Sequence, residues 1–153
     1  CDVACRTRYS GDWTKFISFM NGYKEVARQE WPAVLSALER TKKRIVLLSH
    51  SKIQNFKNPM GEDFQRYSCD LENTVYDETA RWADAVLFGN YLTLVKKDGQ
   101  KAKGIGGTER RLYTERRDSY NAKNRYGMPE EIDFSEVKPE EMYNAIFSYI
   151  ENI

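Results

Sequence analysis

Arg44-Ile45-Val46-Leu47-Leu48-Ser49-His50 is the stretch on which the fold turns. Four apolar residues run without interruption and then give way to Ser49, His50, Ser51 and Lys52. A run this short and apolar on both faces reads as a fully buried strand of a parallel sheet covered by helices. It is far too short to span a bilayer. Polar groups at the carboxyl end of such a strand stand where open α/β sheets bind ligands.

On the amino-terminal side, Phe16, Phe19, Met20, Tyr23, Val26 and Ala27 recur at helical spacing from about Asp12 to Trp31. They predict one apolar stripe, with Asp12 as N-cap or first-turn acid. Pro32 predicts a break and restart, because proline is tolerated in a first helical turn but not in a helix interior. A second helix then covers Pro32 to Lys43, with Val34, Leu35 and Leu38 inward and Lys42, Lys43 and Arg44 at the negative end of its dipole.

On the carboxyl side, Lys52 to Asp70 is a long polar stretch with Pro59 and Gly61, too long for a default connection and therefore functional or mobile. A helix is expected over Leu71 to Trp82, and a strand over Ala83 to Val95 with a turn at Asp84. Lys96 to Gly107 reads as a loop rich in glycine and lysine, Thr108 to Arg117 as a strand, Asn121 to Glu131 as irregular, and Pro139 to Ile153 as a helix. Alternating helices and strands, with late strands that pair antiparallel, give an α/β layer fold.

The 153 residues suit one domain with a real core, and a net charge of +1 predicts no nucleic-acid or membrane partner from bulk charge. Cys1, Cys5 and Cys69 are odd in number and fit no zinc spacing, so they read as reduced thiols, and a single histidine rules out a multi-histidine metal cluster. No metal-binding residue is expected. No secretory signal is visible, which points to a cytoplasmic protein. An opening residue of cysteine rather than methionine suggests a fragment or a processed product.

The chemistry-bearing candidates each admit a plainer reading. No G-x-x-x-x-G-K-[ST] occurs, so the chain has no glycine-rich cradle for phosphates. Lys96, Lys97, Lys101 and Lys103 form a patch for a polyanion, or a solvated hairpin tip. Lys52, Phe56, Lys57, Phe64, Arg66 and Tyr67 mix cations with rings, as single-strand binders do, or belong to a loop that packs its rings on its own domain. His50 is a candidate phosphate sensor or a hydrogen-bonded structural residue. Asp84 is an acid or, preferably, a cap at the start of a strand. Arg110, Arg111, Arg116, Arg117, Lys123 and Arg125 are the densest basic cluster. Lys123 and Arg125 stand two apart on an extended segment, so they point the same way and can grip one phosphate as an arginine finger does. A solvated basic strand is the plain alternative.

Several motifs, taken in order, resemble phage-encoded P-loop ATPases of the RecA-like, single-strand-annealing group. They are Ile45 to Ile53, Asn58-Pro-Met-Gly-Glu-Asp63 with Arg66-Tyr67, Trp82-Ala-Asp-Ala-Val-Leu-Phe88, Gly104-Ile-Gly106 with Gly107-Thr-Glu-Arg110, and Tyr120-Asn-Ala-Lys-Asn-Arg-Tyr-Gly-Met-Pro-Glu130. The resemblance covers Trp31 to Ile132. It implies a partial RecA-like core, with a mainly parallel central sheet and late antiparallel strands, over residues 31–132. Residues 1–30 would be a helical lead-in or insertion and 133–153 a C-terminal helix. By the same resemblance, Ile45 to Ser49 would lie beside an acidic strand, and His50 would sense the γ-phosphate. Lys52, Lys57 and Arg66, with Lys101 and Lys103, would face single-stranded DNA. Lys123 and Arg125 would reach into a neighbouring subunit's ATP site. ATP and Mg²⁺ in the complete protein, a homo-oligomeric ring or filament, and a role in recombination or annealing in a bacterial host follow as expectations. The alternative is a non-catalytic module that binds single-stranded DNA or a recombination partner.

Overall fold

The computed structural model describes residues 1–98 and 101–150; the side chains of Met20, 93–98 and 101–106 lie outside the described set. Helices come first and strands later. The order is α1 (Asp2–Tyr9), α2 (Trp13–Ile17), a 3-10 turn (Ser18–Met20), α3 (Asn21–Glu25), a π-turn (Val26–Glu30) and α4 (Trp31–Arg40). Then follow β1 (Ser51–Phe56), β2 (Phe64–Cys69), α5 (Asn73–Trp82), β3 (Ala85–Val86), β4 (Phe88–Asp98), β5 (Lys101–Tyr113), β6 (Lys123–Asn124), β7 (Glu131–Asp133) and α6 (Met142–Ser148). No described helix is long and apolar enough to cross a membrane. The chain divides into two compact units, Cys1–Lys52 with Cys69–Ala83 and Ile53–Ser68 with Asp84–Ile153.

In the first unit only part of the helical stripe is inward: Phe16 and Ala27 are buried, whereas Phe19 is 86% exposed. Asp12 caps α2 by accepting the Lys15 N–H at 3.1 Å. Phe16 is fully buried. Tyr9, Trp13 and Tyr23 meet its ring edge-on at 5.5, 5.1 and 5.2 Å, the favoured geometry of aromatic quadrupoles. Gly22 is what lets α3 come so close: a Cβ there would stand 2.4 Å from Phe16 Cδ2. The break falls at Phe19, whose φ of 50° and ψ of 26° leave the helical region, rather than at Pro32. Pro32 sits in the first turn of α4, directly after the π-turn. Proline lacks an N–H and crowds the carbonyl four residues back, and the wider π-turn accommodates both. Trp31 Nε1 donates to Thr79 Oγ1 at 2.7 Å, tying α4 to α5. Glu72 caps α5 by accepting the N–H groups of Thr74 and Val75 at 2.8 and 3.1 Å.

Residues 44–50 differ from expectation. They form no strand, and Val46, Leu47 and Leu48 are 55%, 43% and 94% exposed. A strand exists through its neighbours' hydrogen bonds, and no described strand is laddered to this run.

The sheets of the second unit are small. β1 and β2 pair as a hairpin, β3 pairs with β6, and β4-β5-β7 form a three-stranded sheet. The β3–β6, β4–β5 and β5–β7 pairings are antiparallel. A mixed helix-and-strand fold is thus present, without a parallel central sheet among the described residues; a parallel bridge joins Tyr67 to Tyr120. The glycine-rich segment, expected as a loop, is strand: Gly104 pairs with Val95 and Gly106 with Thr93. A bulge follows, because the register passes from Thr93–Gly106 to Tyr91–Arg110, which bends and twists the ribbon. Met128, Ile132 and Phe134 are buried in this unit. Phe88 stacks on Tyr67 at 5.2 Å and on Tyr120 at 5.0 Å.

Candidate functional site

Lys123 lies on the short ladder of β3 and β6, and Arg125 is the bend residue directly after it. Ala85 pairs with Asn124 and Val86 with Lys123, and the Arg125 N–H donates to the Asp84 carbonyl at 3.2 Å. Side chains alternate along a strand, so within the ladder Lys123 and Val86 share one face and Asn124 and Ala85 the other. Asp84 and Arg125 stand in the bends that flank it, and the Arg125 charge acts on Lys123.

Asp84 holds this region together. Its Oδ1 accepts from Arg125 Nη1 at 3.1 Å, and it takes a hydrogen bond from the Tyr126 hydroxyl, whose pKa is raised first by burial and then by that carboxylate. Lys123 is held below the ordinary lysine range, first by burial and then by the Arg125 charge, with Asp84 opposing. Both members of the Arg125–Asp84 pair are more than half exposed, at 53% and 57%. Such a pair is worth at most about 1 kcal/mol. It therefore presets the guanidinium without locking it away from a more highly charged anion.

The other cations have different surroundings. Arg66 is 6% exposed. Its guanidinium lies 4.1 Å from the Phe56 ring centroid and 5.3 Å from that of Phe64. Its Nε donates to the Asp118 carbonyl at 3.0 Å and its Nη1 to Asn121 Oδ1 at 3.2 Å. Lys52 donates to the Leu71 carbonyl at 2.7 Å and pairs with Asp70 at 3.5 Å. Lys57 is exposed, on a loop whose Asp63 accepts the Asn58 N–H at 3.0 Å. Lys101 and Lys103 pair through their backbones with Asp98 and Lys96, and their side chains lie outside the described residues. His50 belongs to the first unit and is exposed; its carbonyl accepts the Asp70 N–H at 2.7 Å.

Much of the dense arginine cluster is engaged within the fold. Arg110 Nη2 donates to the carbonyls of Ser135 and Val137 at 3.4 and 2.6 Å. Arg111 lies among Glu109, Asp133 and Glu131 at 2.8, 2.9 and 3.4 Å. Arg117 pairs with Glu130. A cleft of about 280 Å³ lies between Gly89, Asn90, Leu112, Phe134 and Met142, with Arg110 and Arg111 of the basic cluster on its wall.

These surroundings bear on the expected ligands. Lys123 and Arg125 suit phosphate oxygens, the chemistry of charge-assisted hydrogen bonds to an anion. The described residues contain no group of three or more His, Cys, Asp or Glu that could hold a metal, and the three carboxylates around Arg111 face a guanidinium. No residue of the chain is assigned to Mg²⁺.

Asp84, Asn124, Thr114 and Tyr126 complete this region, and sequence reasoning gave none of them its role there. A legible signal was Asn124 between two cations with Gly127 and Pro129 after it, which is turn chemistry.

Comparison with known proteins places the chain. No match is found among curated proteins or among solved structures. A family model described as an AAA domain matches residues 4–126, from the first helix to the residue after Arg125. That match is compatible with an ATPase-like, nucleotide-binding function. Because it spans most of the sequence, the chain belongs to the AAA domain family.

Proposed function

We propose that this chain is part of a RecA-like ATPase acting in phage DNA recombination or single-strand annealing, and that it contributes Lys123 and Arg125 to an ATP site shared between subunits. The observation that supports this reading is the proximity of Lys123 in β6 and Arg125 in the bend after it, with Asp84 as a displaceable counter-ion. ATP supplies the phosphoryl group. Arg125 and Lys123 bind its non-bridging oxygens and stabilise the charge that spreads over them in the transition state. His50 is proposed as the phosphate sensor, and single-stranded DNA as the partner met by Lys57.

The test is steady-state ATP turnover by the protein in the assembly that provides the P-loop, with nucleotide affinity measured alongside. Arg125→Ala lowers turnover by about 10³, the usual value of an arginine finger, and leaves affinity within about twofold. Unchanged turnover would sink the finger assignment. An assembly with no turnover at all would leave the second reading, a non-catalytic single-strand binding module. The exposed Lys57 on the β1–β2 loop favours that alternative.

A further inference from the structure

A ladder of two residues a side does not fix its own register. Slippage of β6 by one residue against β3 would turn Lys123 to the opposite face and displace the bend that carries Arg125, because the side-chain period is two. Something outside the ladder has to set it.

The side chain between the two cations is placed to do so. Asn124 Oδ1 accepts the N–H groups of Tyr126 and Met128 at 3.0 and 3.3 Å. Its Nδ2 donates to the Met128 carbonyl at 2.9 Å and to Thr114 Oγ1 at 3.4 Å. Both ends of the amide are thus used. The anchor is rigid. Thr114 is fully buried at the end of β5, its hydroxyl donates to the Pro129 carbonyl at 2.8 Å, and its N–H donates to the Glu130 carbonyl at 3.0 Å. Met128 is 4% exposed. Gly127, at φ 63°, takes the left-handed position that lets the chain fold back onto Asn124.

Resting on the cation-pair reading above, we propose that Asn124 is a positioning residue: by binding Thr114 and the 126–128 turn, it holds the end of β6 and the bend after it so that Lys123 and Arg125 stand together, ready for a polyphosphate. A pair held this way loses less conformational freedom when the anion arrives.

The experiment is an NMR titration of the protein with inorganic tripolyphosphate at low ionic strength, where amide shifts report both affinity and the integrity of the fold. Lys123→Ala and Arg125→Ala each weaken binding by about tenfold, as loss of a charge-assisted contact does. Asn124→Ala weakens it by about five- to tenfold with the remote amide shifts unchanged. The decisive reading is the double-mutant cycle. Arg125→Ala costs about tenfold in the parent and less than about twofold in the Asn124→Ala background, because a mispositioned guanidinium has little left to lose. A residue that only stabilised the fold would leave that coupling at zero. If Asn124→Ala does not fold, Asn124→Asp carries the same cycle, since it keeps the Oδ1 contacts and loses the Nδ2 donor. Strictly additive losses, or full affinity in a folded Asn124 variant, overturn the positioning role while leaving the cation pair standing. Binding that Lys123→Ala and Arg125→Ala do not weaken, or no binding by the parent, overturns the cation-pair reading and the positioning role with it.

Discussion

Lys123 carries its charge under strain. Burial and the neighbouring Arg125 guanidinium both press its pKa below the ordinary lysine range, and Asp84 offsets only part of this. The sign follows from which form the fold disfavours. The folded state releases the proton more readily than the unfolded chain does, so stability rises with pH between the folded and unfolded lysine values. Anion binding runs the other way, because it needs the ammonium. Tripolyphosphate affinity is therefore expected to fall, as pH rises, at a lower pH than an ordinary lysine would give. Lys123→Arg should hold its affinity to higher pH, since a guanidinium stays charged. Titrations at stepped pH with both proteins measure this, and identical profiles would count against Lys123 as a charged contact. The alternation expected of an extended segment covers Lys123 but ends at Asn124, and Arg125 stands in the bend that follows. Asp84 was not legible as its partner, because the contact joins residues 41 apart in sequence and only the β3–β6 pairing brings them together.

The β1–β2 hairpin illustrates how one composition serves opposite ends. Cations interleaved with rings are what a single-strand binder offers, yet the same chemistry lets a guanidinium pack between two rings inside a fold. Arg66 does the latter, against Phe56 and Phe64. Local sequence does not distinguish these outcomes, since burial depends on Asp118 and Asn121, more than 50 positions away. The two roles separate by mutation. Arg66→Met removes the guanidinium and leaves the acceptors on Asp118 and Asn121 without their donor, and is expected to cost about 2 kcal/mol in urea denaturation. Lys57→Glu should leave stability within about 0.5 kcal/mol, weaken single-stranded DNA binding, and flatten its salt dependence by about one ion. A DNA titration indifferent to Lys57→Glu would remove the hairpin from any nucleic-acid interface. Element types were legible where local chemistry decides them, as in α5 with its Glu72 cap. They were least legible where a long-range partner decides, as at Gly104 and Gly106, which β4 holds in a strand.

For the whole molecule the telling feature is the run from which the fold was read. Ile45 to Leu48 has the composition of a strand buried on both faces, yet Val46, Leu47 and Leu48 are exposed without a ladder beside them. Membership of the AAA domain family agrees with the composition rather than with the exposure, since an α/β core covers such a strand on both sides. Sequence periodicity registers what a segment is suited to pair with. It does not supply the partner, and without one the strand does not form. Consecutive exposed apolar residues with no described strand laddered beside them are a template for association, and a net charge of only +1 does little to oppose it. The protein is therefore expected to self-associate, with a sedimentation coefficient that rises with concentration between roughly 5 and 100 µM, the range in which weak apolar contacts of this size act. Val46→Thr with Leu48→Glu should shift it toward the monomer while leaving the helical circular dichroism unchanged, because both side chains are exposed and neither belongs to a helix. A parent chain that sediments as a monomer throughout would mean that the run is tolerated bare. Self-association that the double variant retains would place the contact elsewhere, and the strand-like run would then carry no weight in assembly.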